Sequence, residues 1–387
     1  MTNFDYFIPT IIHFGSGQIE KLGAEIVSRA ARVLLVYGGG SVKRNGVYDD
    51  AAAQLSKYGI YYTDLSGVEP NPKIGTVREG VRLCREQELD GVLALGGGSA
   101  IDCAKAVAAG ALYDGDPWDF LTGKHKPTEA LPIFTVLTIA ATGSEMDSIA
   151  VISDMNSNDK LVFEADCCLP VCSILDPSYT FSVPAGQTAA GTADIMSHTL
   201  ENYFSRVEGA YLQDRFAESV LQTCVRYGPV ALREPDNYEA RANLMWASSW
   251  AINGFLSMGK PVAWSVHSIE HQLSAYYDIT HGVGLAILTP NWMRFVLSTA
   301  TERRFAEYGV RVWGLNSALP VRELAEEAIE KTGEFFRALG LPSTLTEIGI
   351  DDRYFDEMSL KARTASFDRT FVSLTTQDIR KIYQMSL

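Results

Sequence analysis

Short apolar runs alternate with longer amphipathic stretches in the first half of the chain. Residues 33–37 and 91–95 are two such runs, and each stops at a group of glycines. Short apolar runs that end at turn signals predict buried β-strands. Residues 41–58 and 74–87 instead have the spacing of helices. This alternation predicts a mainly parallel sheet with helices on both faces.

The pattern of the remaining chain divides it in two. Residues 60–65, 132–139, 149–153 and 172–175 are further apolar runs, which we expect to extend the sheet. Beyond residue 185 the spacing is helical and we find no convincing strand. Helices are predicted at residues 187–205, 211–227, 238–257, 262–277, 284–297 and 321–339. We therefore expect an α/β domain over residues 1–185 and an all-helical domain over residues 186–387.

The charge balance narrows the class of ligand. The chain has 387 residues, with 33 Lys and Arg against 47 Asp and Glu, and its net charge is −14 with neutral His. Nucleic acids and anionic membranes are bound mainly through Lys and Arg. The acidic excess therefore argues against both of these partners and favours a small-molecule ligand.

Targeting signals and cysteine usage indicate a cytoplasmic protein. Residues 1–15 lack the basic leader and long apolar stretch of a signal peptide. The most apolar stretch, residues 92–112, is interrupted by glycines, Asp102 and Lys105, which argues against a membrane span. The six cysteines form no Cys-x-x-Cys pair, which fits reduced thiols better than a disulfide framework.

Glycine-rich turns follow three of the predicted strands. Residues 38–41 read GGGS, residues 96–105 read GGGSAIDCAK, and residues 138–145 read TIAATGSE. Glycines let the backbone approach a ligand closely, and free N–H groups at a helix start attract anions. Ile101 replaces the third glycine of the G-x-G-x-x-G pattern, so each turn alone also fits a tight strand-to-helix connection. Together, at the carboxyl ends of strands in one sheet, they predict a diphosphate site.

Carboxylate and imidazole side chains recur at helical spacing in the second half. Asp194 and His198 are four residues apart on one predicted helix and so share a face. His267 and His271 repeat this spacing, and His281 begins a loop. A lone His on an apolar face is usually a core residue, but this concentration suits a divalent Zn or Fe ion. Spacing alone does not decide which of the three later histidines bind it.

Taken together, these motifs resemble the iron-dependent (group III) alcohol dehydrogenases. The resemblance is carried by GVEPNP at residues 67–72, GGGSAIDCAK at 96–105, TIAATGSE at 138–145, LDP at 175–177, GTADIMSHTLE at 191–201, and the later histidines. It extends from TIIHFGSG at residues 10–17 through the last helices. The segments YGGGSVKRNG and QDRFAE look most like the branch of NADPH-dependent butanol dehydrogenases and broad-range aldehyde reductases.

The resemblance implies a Rossmann-like nucleotide-binding domain and a helical domain, in the dehydroquinate synthase-like superfold, with a catalytic metal between them and a homodimeric assembly. The metal ligands that it implies are Asp194, His198, His267 and His281. It assigns His271 to proton relay near the nicotinamide, where Asp102 is the other candidate catalytic residue. The candidate cofactor-binding residues are Gly38, Gly39, Gly40, Ser41, Lys43, Gly97, Gly98, Ser99, Asp102, Thr138, Thr142, Ser144, Lys160 and Tyr179.

The turn after the first long strand bears on the choice between NADPH and NADH. NAD-preferring members of the family carry an Asp there, which binds the ribose hydroxyls and repels a 2′-phosphate. This chain has Gly39 at that place, followed by Ser41, Lys43 and Arg44. Loss of a negative charge and gain of donors favour a 2′-phosphate. We predict NADP(H), while Lys43 and Arg44 also fit a solvated helix face.

The implied reaction is reversible hydride transfer between NADPH and an aldehyde, with Fe(II) or Zn(II) acting as a Lewis acid on the carbonyl oxygen. Trp264, Phe255, Met146 and Ile149 are candidates for an apolar pocket that accepts short to medium aliphatic aldehydes and primary alcohols. At Asp147, Ser148 and Ile149 the chain departs from the pattern of this branch. The substrate pocket is therefore the least determined part of the prediction.

Three alternatives remain open. A glycerol dehydrogenase-like polyol oxidoreductase is the nearest, but that group usually lacks the fourth metal ligand. A lyase resembling dehydroquinate synthase would need basic residues for an acidic, phosphorylated substrate and typically uses three ligands, one of them Glu. A non-catalytic nucleotide-binding or metal-storage protein would have no need of both sites in one chain.

Overall fold

The computed structural model describes residues 1–260 and 262–387 of the chain. The chain forms two compact units. The first comprises Phe7–Val183 and Pro235–Ser249, and the second comprises Met1–Tyr6, Pro184–Glu234 and Trp250–Leu387. Each unit supplies one of the two sites that the sequence motifs indicate.

The first unit is built on a parallel sheet. The described residues form the strands β1 Ile11–Phe14, β2 Arg32–Tyr37, β3 Tyr61–Leu65, β4 Gly91–Gly96, β5 Ile133–Leu137, β6 Ile149–Asp154, β7 Asp159–Glu164 and β8 Cys172–Leu175. Six of them lie in the order β1-β8-β5-β4-β2-β3, and every neighbouring pair is parallel. The predicted parallel sheet is confirmed.

One predicted strand pairs differently. Residues 149–153 were expected in the main sheet, but β6 forms a separate antiparallel hairpin with β7. That prediction is wrong because an apolar run specifies a strand and does not specify its partner. The four residues between β6 and β7 allow a direct hairpin, whereas a parallel crossover needs a longer connection.

The helices cover both faces of the sheet and build most of the second unit. They are α1 Leu22–Val27, α2 Ser41–Arg44, α3 Val47–Lys57, α4 Ile74–Glu86, α5 Gly98–Leu112, α6 Trp118–Leu121, α7 Ala185–Tyr203, α8 Tyr211–Arg233, α9 Tyr238–Ile252, α10 Ser265–Tyr277, α11 His281–Val296, α12 Glu302–Val312, α13 Val321–Ala338, α14 Phe355–Ala362 and α15 Thr376–Met385. The single helix predicted for residues 41–58 is two helices, because Gly46 before α3 has a left-handed φ of 85°.

Alternating residues of the central strands face two separate cores. In β2, Leu34 and Val36 pack into the core that includes residues of α4 and α5, whereas Val33 and Leu35 pack into the core that includes α1 and α3. This alternation explains why β2 reads as a continuous apolar run, since both of its faces are covered. Within the part of the chain that the structure describes, no helix combines the length and apolarity needed to cross a membrane.

Candidate metal centre and nucleotide-binding loops

The glycine turns lie along one edge of the sheet. They follow β2, β4 and β5, which are adjacent and parallel, so their carboxyl ends meet at the same edge. A Cβ added at Gly97 would come within 2.1 Å of Ile139 Cγ2, and one at Gly98 within 2.4 Å of Thr142 Oγ1. These two glycines are therefore required because the loop after β5 packs directly against the start of α5.

The start of α5 offers backbone donors to an anion. Its N-cap is Gly97, and among the described residues no side chain caps this end. The N–H groups of Ala100 and Ile101 bond to the carbonyl oxygen of Gly97 at 3.1 and 3.2 Å, so the N–H groups of Gly98 and Ser99 come before the helical ladder. At the positive end of a 15-residue helix, this arrangement suits a phosphate oxygen.

The turn after β2 is held by the loop at residues 67–72. Gly67 N donates to Gly38 O at 3.2 Å, and Val68 N donates to Tyr37 O at 3.1 Å. A Cβ at Gly39 would meet no heavy atom within 4 Å, and Gly40 has a left-handed φ of 94°. The turn therefore leaves open space at Gly39, the position on which the cofactor prediction depends.

Lys43 is engaged near this turn. Its Nζ lies 3.6 Å from Asp64 Oδ2 and 5.0 and 4.4 Å from the ring centroids of Tyr37 and Tyr48. The hydroxyls of both tyrosines donate to the Asp64 carboxylate. Part of the positive charge that the sequence offers to a 2′-phosphate is thus already balanced by a carboxylate of β3.

A buried ion pair lies beside the candidate catalytic residue Asp102. Lys105 is fully buried and donates to Ser144 Oγ at 2.9 Å, Asp147 Oδ1 at 2.6 Å and the carbonyl oxygen of Ile149 at 2.8 Å. Ser144 Oγ donates in turn to Asp102 Oδ1 at 2.6 Å. Burial raises the pKa of Asp102 to about 6, and Lys105 and Ser144 oppose that shift. These contacts join α5 to the TIAATGSE loop and to β6.

Sequence reasoning missed Lys105 and noticed Asp147 only as a departure from the family pattern. The available signal was a lysine inside a helix whose other neighbours are small and apolar, because a buried lysine requires an anionic or polar partner. Another candidate cofactor residue, Thr142, accepts a hydrogen bond from the backbone N–H of Ser144 at 3.2 Å. Thr138 N donates to Gly96 O at 3.0 Å, Lys160 is buried in β7, and the Tyr179 hydroxyl donates to Asp50 at 2.8 Å.

The four predicted metal ligands lie close together, and Asp194, His267 and His281 have ligand atoms that could share one ion. His198 Nδ1 is 3.0 Å from the carbonyl oxygen of Asp194 and forms a hydrogen bond there, so its other ring nitrogen would be the ligand. Asp194 Oδ1 lies 3.3 Å from His198 Nδ1, 4.0 Å from His267 Nε2 and 3.8 Å from His281 Nε2. Asp194 and His198 are one turn apart on α7, while the other two histidines come from α10 and the start of α11. Three helices therefore bring a carboxylate and three imidazoles together in the second unit.

The electrostatics of this cluster fit a cation. His267 is buried, and neither of its ring nitrogens makes a hydrogen bond within the described residues. Burial, followed by the neighbouring His267 and His281, lowers the pKa of His198 well below its ordinary value, so this imidazole is neutral. Neutral imidazoles around a carboxylate form a donor set that Fe(II) and Zn(II) accept.

Two carboxylates that the sequence did not single out hold these histidines. Glu201 accepts a hydrogen bond from the backbone N–H of Val266 and another, at 3.1 Å, from His267, at the start of α10. Glu270 is fully buried and its Oε2 contacts Nδ1 of His281. A carboxylate behind a ligating imidazole fixes the ring and its tautomer. The signal in the sequence was an acidic residue between His267 and His271.

The Glu270 side chain is tightly packed. Ser274 Oγ donates to Glu270 Oε1 at 2.6 Å. A Cβ added at Gly284 would lie 2.7 Å from Glu270 Cγ and 2.8 Å from Oε1. Gly284 on α11 is therefore required for the Glu270 carboxylate to reach His281.

His267 and His271 belong to two different groups of potential metal ligands. One ligand atom each from Asp194, His267 and His281 lie within 4.8 Å of one another, and a second such group consists of Glu270, His271 and His281. His281 is common to both groups, with Nδ1 against Glu270 and Nε2 toward Asp194. His271 is half-buried, and its ring centroid lies 5.5 Å from that of His281.

The apolar pocket candidates occupy different surroundings. The Trp264 ring meets those of His267 and His198 edge-on, at centroid distances of 5.3 and 5.8 Å. Phe255 instead packs with other aromatic rings, namely those of Tyr6, Phe216 and Trp250. Met146 and Ile149 belong to the first unit. The Trp264 ring is therefore in contact with two members of the metal-ligand cluster.

Two family descriptions match the chain. Residues 9–177 match iron-containing alcohol dehydrogenase, and residues 188–387 match the C-terminal region of the Fe-containing alcohol dehydrogenase family. The matched segments contain all of the candidate site residues described above except Tyr179, which lies between them.

Individual relatives match over similar lengths. NADH-dependent butanol dehydrogenase A from Clostridium acetobutylicum is 58% identical over 365 residues, covering 94% of this chain and 93% of that protein. The NADPH-dependent aldehyde reductase YqhD from Escherichia coli is 41% identical over 354 residues, covering 91% and 90%. The crystal structure of NADH-dependent butanol dehydrogenase A from Thermotoga maritima has a TM-score of 0.95 at 38% identity, covering 100% of this chain and 99% of that chain.

Proposed function

The chain belongs to the iron-containing alcohol dehydrogenase family, and we propose that it is an NADPH-linked reductase of short to medium aliphatic aldehydes that also oxidises the corresponding primary alcohols. The class, an NAD(P)-dependent alcohol dehydrogenase, follows from the family and its named relatives. The observation that carries the proposal is the group of Asp194, His267 and His281, whose ligand atoms lie within 4.8 Å of one another, with His198 one turn from Asp194 on the same helix. The resemblance predicted from the motifs is confirmed at the level of the family.

The proposed metal ligands are Asp194, His198, His267 and His281, holding one Fe(II) or Zn(II). When bound, this ion supplies Lewis-acid polarisation of the substrate carbonyl. The burial of His267 without hydrogen bonds to its ring nitrogens, within the described residues, supports its assignment. Glu201 and Glu270 orient the histidines, and His198 is neutral and therefore able to donate a lone pair.

The proposed site of the dinucleotide diphosphate is the start of α5. Support comes from the close packing of Gly97 against Ile139 and of Gly98 against Thr142, and from the uncapped backbone donors at Gly98 and Ser99. Asp102 lies one turn into the same helix, and Ser144 binds its carboxylate. We assign Asp102 to positioning at the nicotinamide end of the cofactor.

We assign proton relay in the proposed reaction to His271. Its half-buried ring lies beside the cluster, in the group that also contains Glu270 and His281. Imidazole is a common general acid and base, and the partial exposure of this ring gives it access to solvent. We therefore expect His271→Gln to lower kcat while the protein still binds one metal ion at the Asp194 cluster.

The preference for NADPH rests on the turn after β2. Gly39 offers open space and no negative charge, and Lys43 and Arg44 follow in α2. The names of the relatives point both ways, since the 58% identical one is NADH-dependent and the 41% identical one is NADPH-dependent. The measurement that decides is kcat/KM with each cofactor for the native chain and for Gly39→Asp. A native preference for NADH would overturn this part of the proposal.

The experiment that tests the proposed function as a whole is an NADPH-oxidation panel. Protein reloaded separately with Fe(II) and Zn(II) is assayed with straight-chain aldehydes of increasing length, with glycerol oxidation as the polyol arm. His267→Ala should lose both metal and turnover while still binding NADPH. Faster turnover of glycerol than of primary alcohols, or near-normal turnover without metal, would contradict the proposal.

The setting of the enzyme is also a proposal. We assign residues 1–185 to dinucleotide binding and residues 186–387 to the metal centre and catalysis. We further propose a cytoplasmic homodimer, on the basis of the family resemblance and the cysteine usage. Light scattering of the purified chain tests the assembly, since a mass near 42.4 kDa would indicate a monomer.

A further inference from the structure

A second group of metal-ligating side chains lies in the first unit, in residues that the proposed function does not use. His13 is on β1, Glu25 on α1 and Cys172 on β8. One ligand atom from each lies within 4.8 Å of the other two, and His13 Nε2 is 3.1 Å from Glu25 Oε1. The parallel pairing of β1 with β8 aligns Ile11 with Cys172. His13, two residues further along β1, therefore shares the face that carries the thiol.

The three donor atoms are a nitrogen, an oxygen and a sulfur. Zn(II) accepts all three types, and ligand atoms held in a tetrahedron at roughly 2.0 to 2.3 Å from the ion lie about 3.3 to 3.8 Å apart. The separation of 3.1 Å between His13 and Glu25 is within a few tenths of an ångström of that range. Three protein ligands leave the fourth position for water.

The surroundings allow an ion to enter and balance its charge. The side chains of His13 and Glu25 are 15% and 22% exposed, while Cys172 is buried behind them. Arg29 lies 3.6 Å from Oε2 of Glu25, which leaves Oε1 as the oxygen beside His13. Zn(II) binds the thiolate form of a cysteine, so binding of the ion releases the thiol proton to solvent.

We propose that His13, Glu25 and Cys172 bind one Zn²⁺, with water as the fourth ligand. β1 is the edge strand of the sheet, and the ion joins it to α1 and to β8. This site is separate from the proposed catalytic cluster, which belongs to the other unit and has no sulfur ligand. The two proposals therefore succeed or fail independently.

Cobalt substitution distinguishes the two sites. Metal-free protein is titrated with Co(II), because a thiolate bound to Co(II) gives a near-ultraviolet charge-transfer band that carboxylate and imidazole ligands do not give. We expect this band in the native chain, together with one more equivalent of bound Co(II) than in Cys172→Ser. Cys84→Ser is the matched control, since Cys84 is also buried in the first unit but lies outside the group. This control should keep both the band and the stoichiometry.

Two further variants test the site without altering the thiol. His13→Gln and Glu25→Gln should each weaken the second equivalent at least tenfold in competition with a chelator, and His13→Gln should leave aldehyde reduction unchanged. If circular dichroism shows that Cys172→Ser does not fold, these two glutamine variants test the site in its place. A native chain that binds no sulfur-ligated Co(II), a band that survives Cys172→Ser, or unchanged affinity in both glutamine variants would overturn the proposal.

Discussion

At the scale of single residues, the candidate metal centre depends on carboxylates that do not belong to the ligand set. Glu201 accepts hydrogen bonds at the start of the helix that carries His267, and Glu270 contacts His281. Both carboxylates are buried. Burial of a charge is costly unless it is paired or hydrogen-bonded. Both carboxylates therefore need the partners that they orient.

Glu270→Gln tests this reading. The amide keeps the size of the side chain but removes the charge that orients His281, and we expect metal affinity at the Asp194 cluster to fall about 10- to 100-fold. Competition with a chelator, followed by metal analysis, measures the loss. Glu330→Gln on α13 is the matched control, because that glutamate is exposed and pairs only on the surface with Arg294. Equal affinities in the two variants would contradict the role of Glu270.

The titration of Asp102 gives a second prediction at this scale. Burial raises its pKa from 3.8 to about 6, so the folded protein binds more protons than the unfolded chain between these values. The contribution of this carboxyl to the free energy of unfolding should therefore fall as the pH rises from about 4 to about 6. Asp102→Asn should flatten this part of the curve in urea unfolding measured at successive pH values.

A control for this pH experiment comes from the neighbouring loop. Burial raises the pKa of Glu145 from 4.5 to about 7, so Glu145→Gln should flatten the curve over a range that extends about one pH unit higher. If Asp102→Asn left the slope below pH 6 unchanged, its carboxyl would not titrate as the structure indicates.

At the scale of elements, α5 and α7 show two ways in which a helix forms part of a site. Every residue of α7 from Thr188 to Tyr203 is buried, including Asp194 and His198. A helix buried on all sides is normally apolar, and the polar side chains of α7 therefore require partners inside the protein. In α5 the part that forms the site is the helix start, where glycines allow the loop after β5 to pack closely.

Gly98→Ala tests that packing. The new Cβ would meet Thr142 Oγ1 at 2.4 Å, which forces the loop after β5 away from the start of α5. We expect NADPH affinity to fall by at least about tenfold, equivalent to 1.4 kcal/mol, as measured by fluorescence titration. In Gly75→Ala, on α4, no heavy atom lies within 4 Å of the new Cβ, so the affinity should be unchanged. Equal affinities in both variants would show that the contact is dispensable.

At the scale of the whole molecule, the net charge of −14 opposes attraction of a polyphosphate. The proposed cofactor site relies on local features, namely glycine turns and the start of α5. The same negative net charge favours binding of a cation at the metal cluster. Its ligands come from α7, α10 and α11, so a bound ion joins three helices of the second unit.

Metal removal should therefore lower thermal stability. A ligand at 100 times its Kd stabilises the folded state by about 2.7 kcal/mol, and we expect a chelator to lower Tm by several degrees and Fe(II) to restore it. The Tm of His267→Ala should not respond to Fe(II). Calorimetry with and without chelator measures the difference, and an equal response of both proteins would contradict the assigned ligand.

The sequence by itself determined the elements whose signals are local. Side-chain periodicity predicted β2, β4 and the long helices, because burial of a strand or helix face depends on spacing along the chain. The i, i+4 pairs brought Asp194 beside His198 within one helix, and the motifs identified the family. The short length of α14, eight residues, explains why it was not predicted. The pairing of β6 was not predicted because an apolar run does not specify its partner strand.

The tertiary structure decided what depends on residues that are far apart in the chain. It brought His281 to Asp194, placed Glu270 behind that histidine, and paired the buried Lys105 with Asp147. Each of these contacts joins separate elements, and no local pattern encodes which buried polar groups will meet.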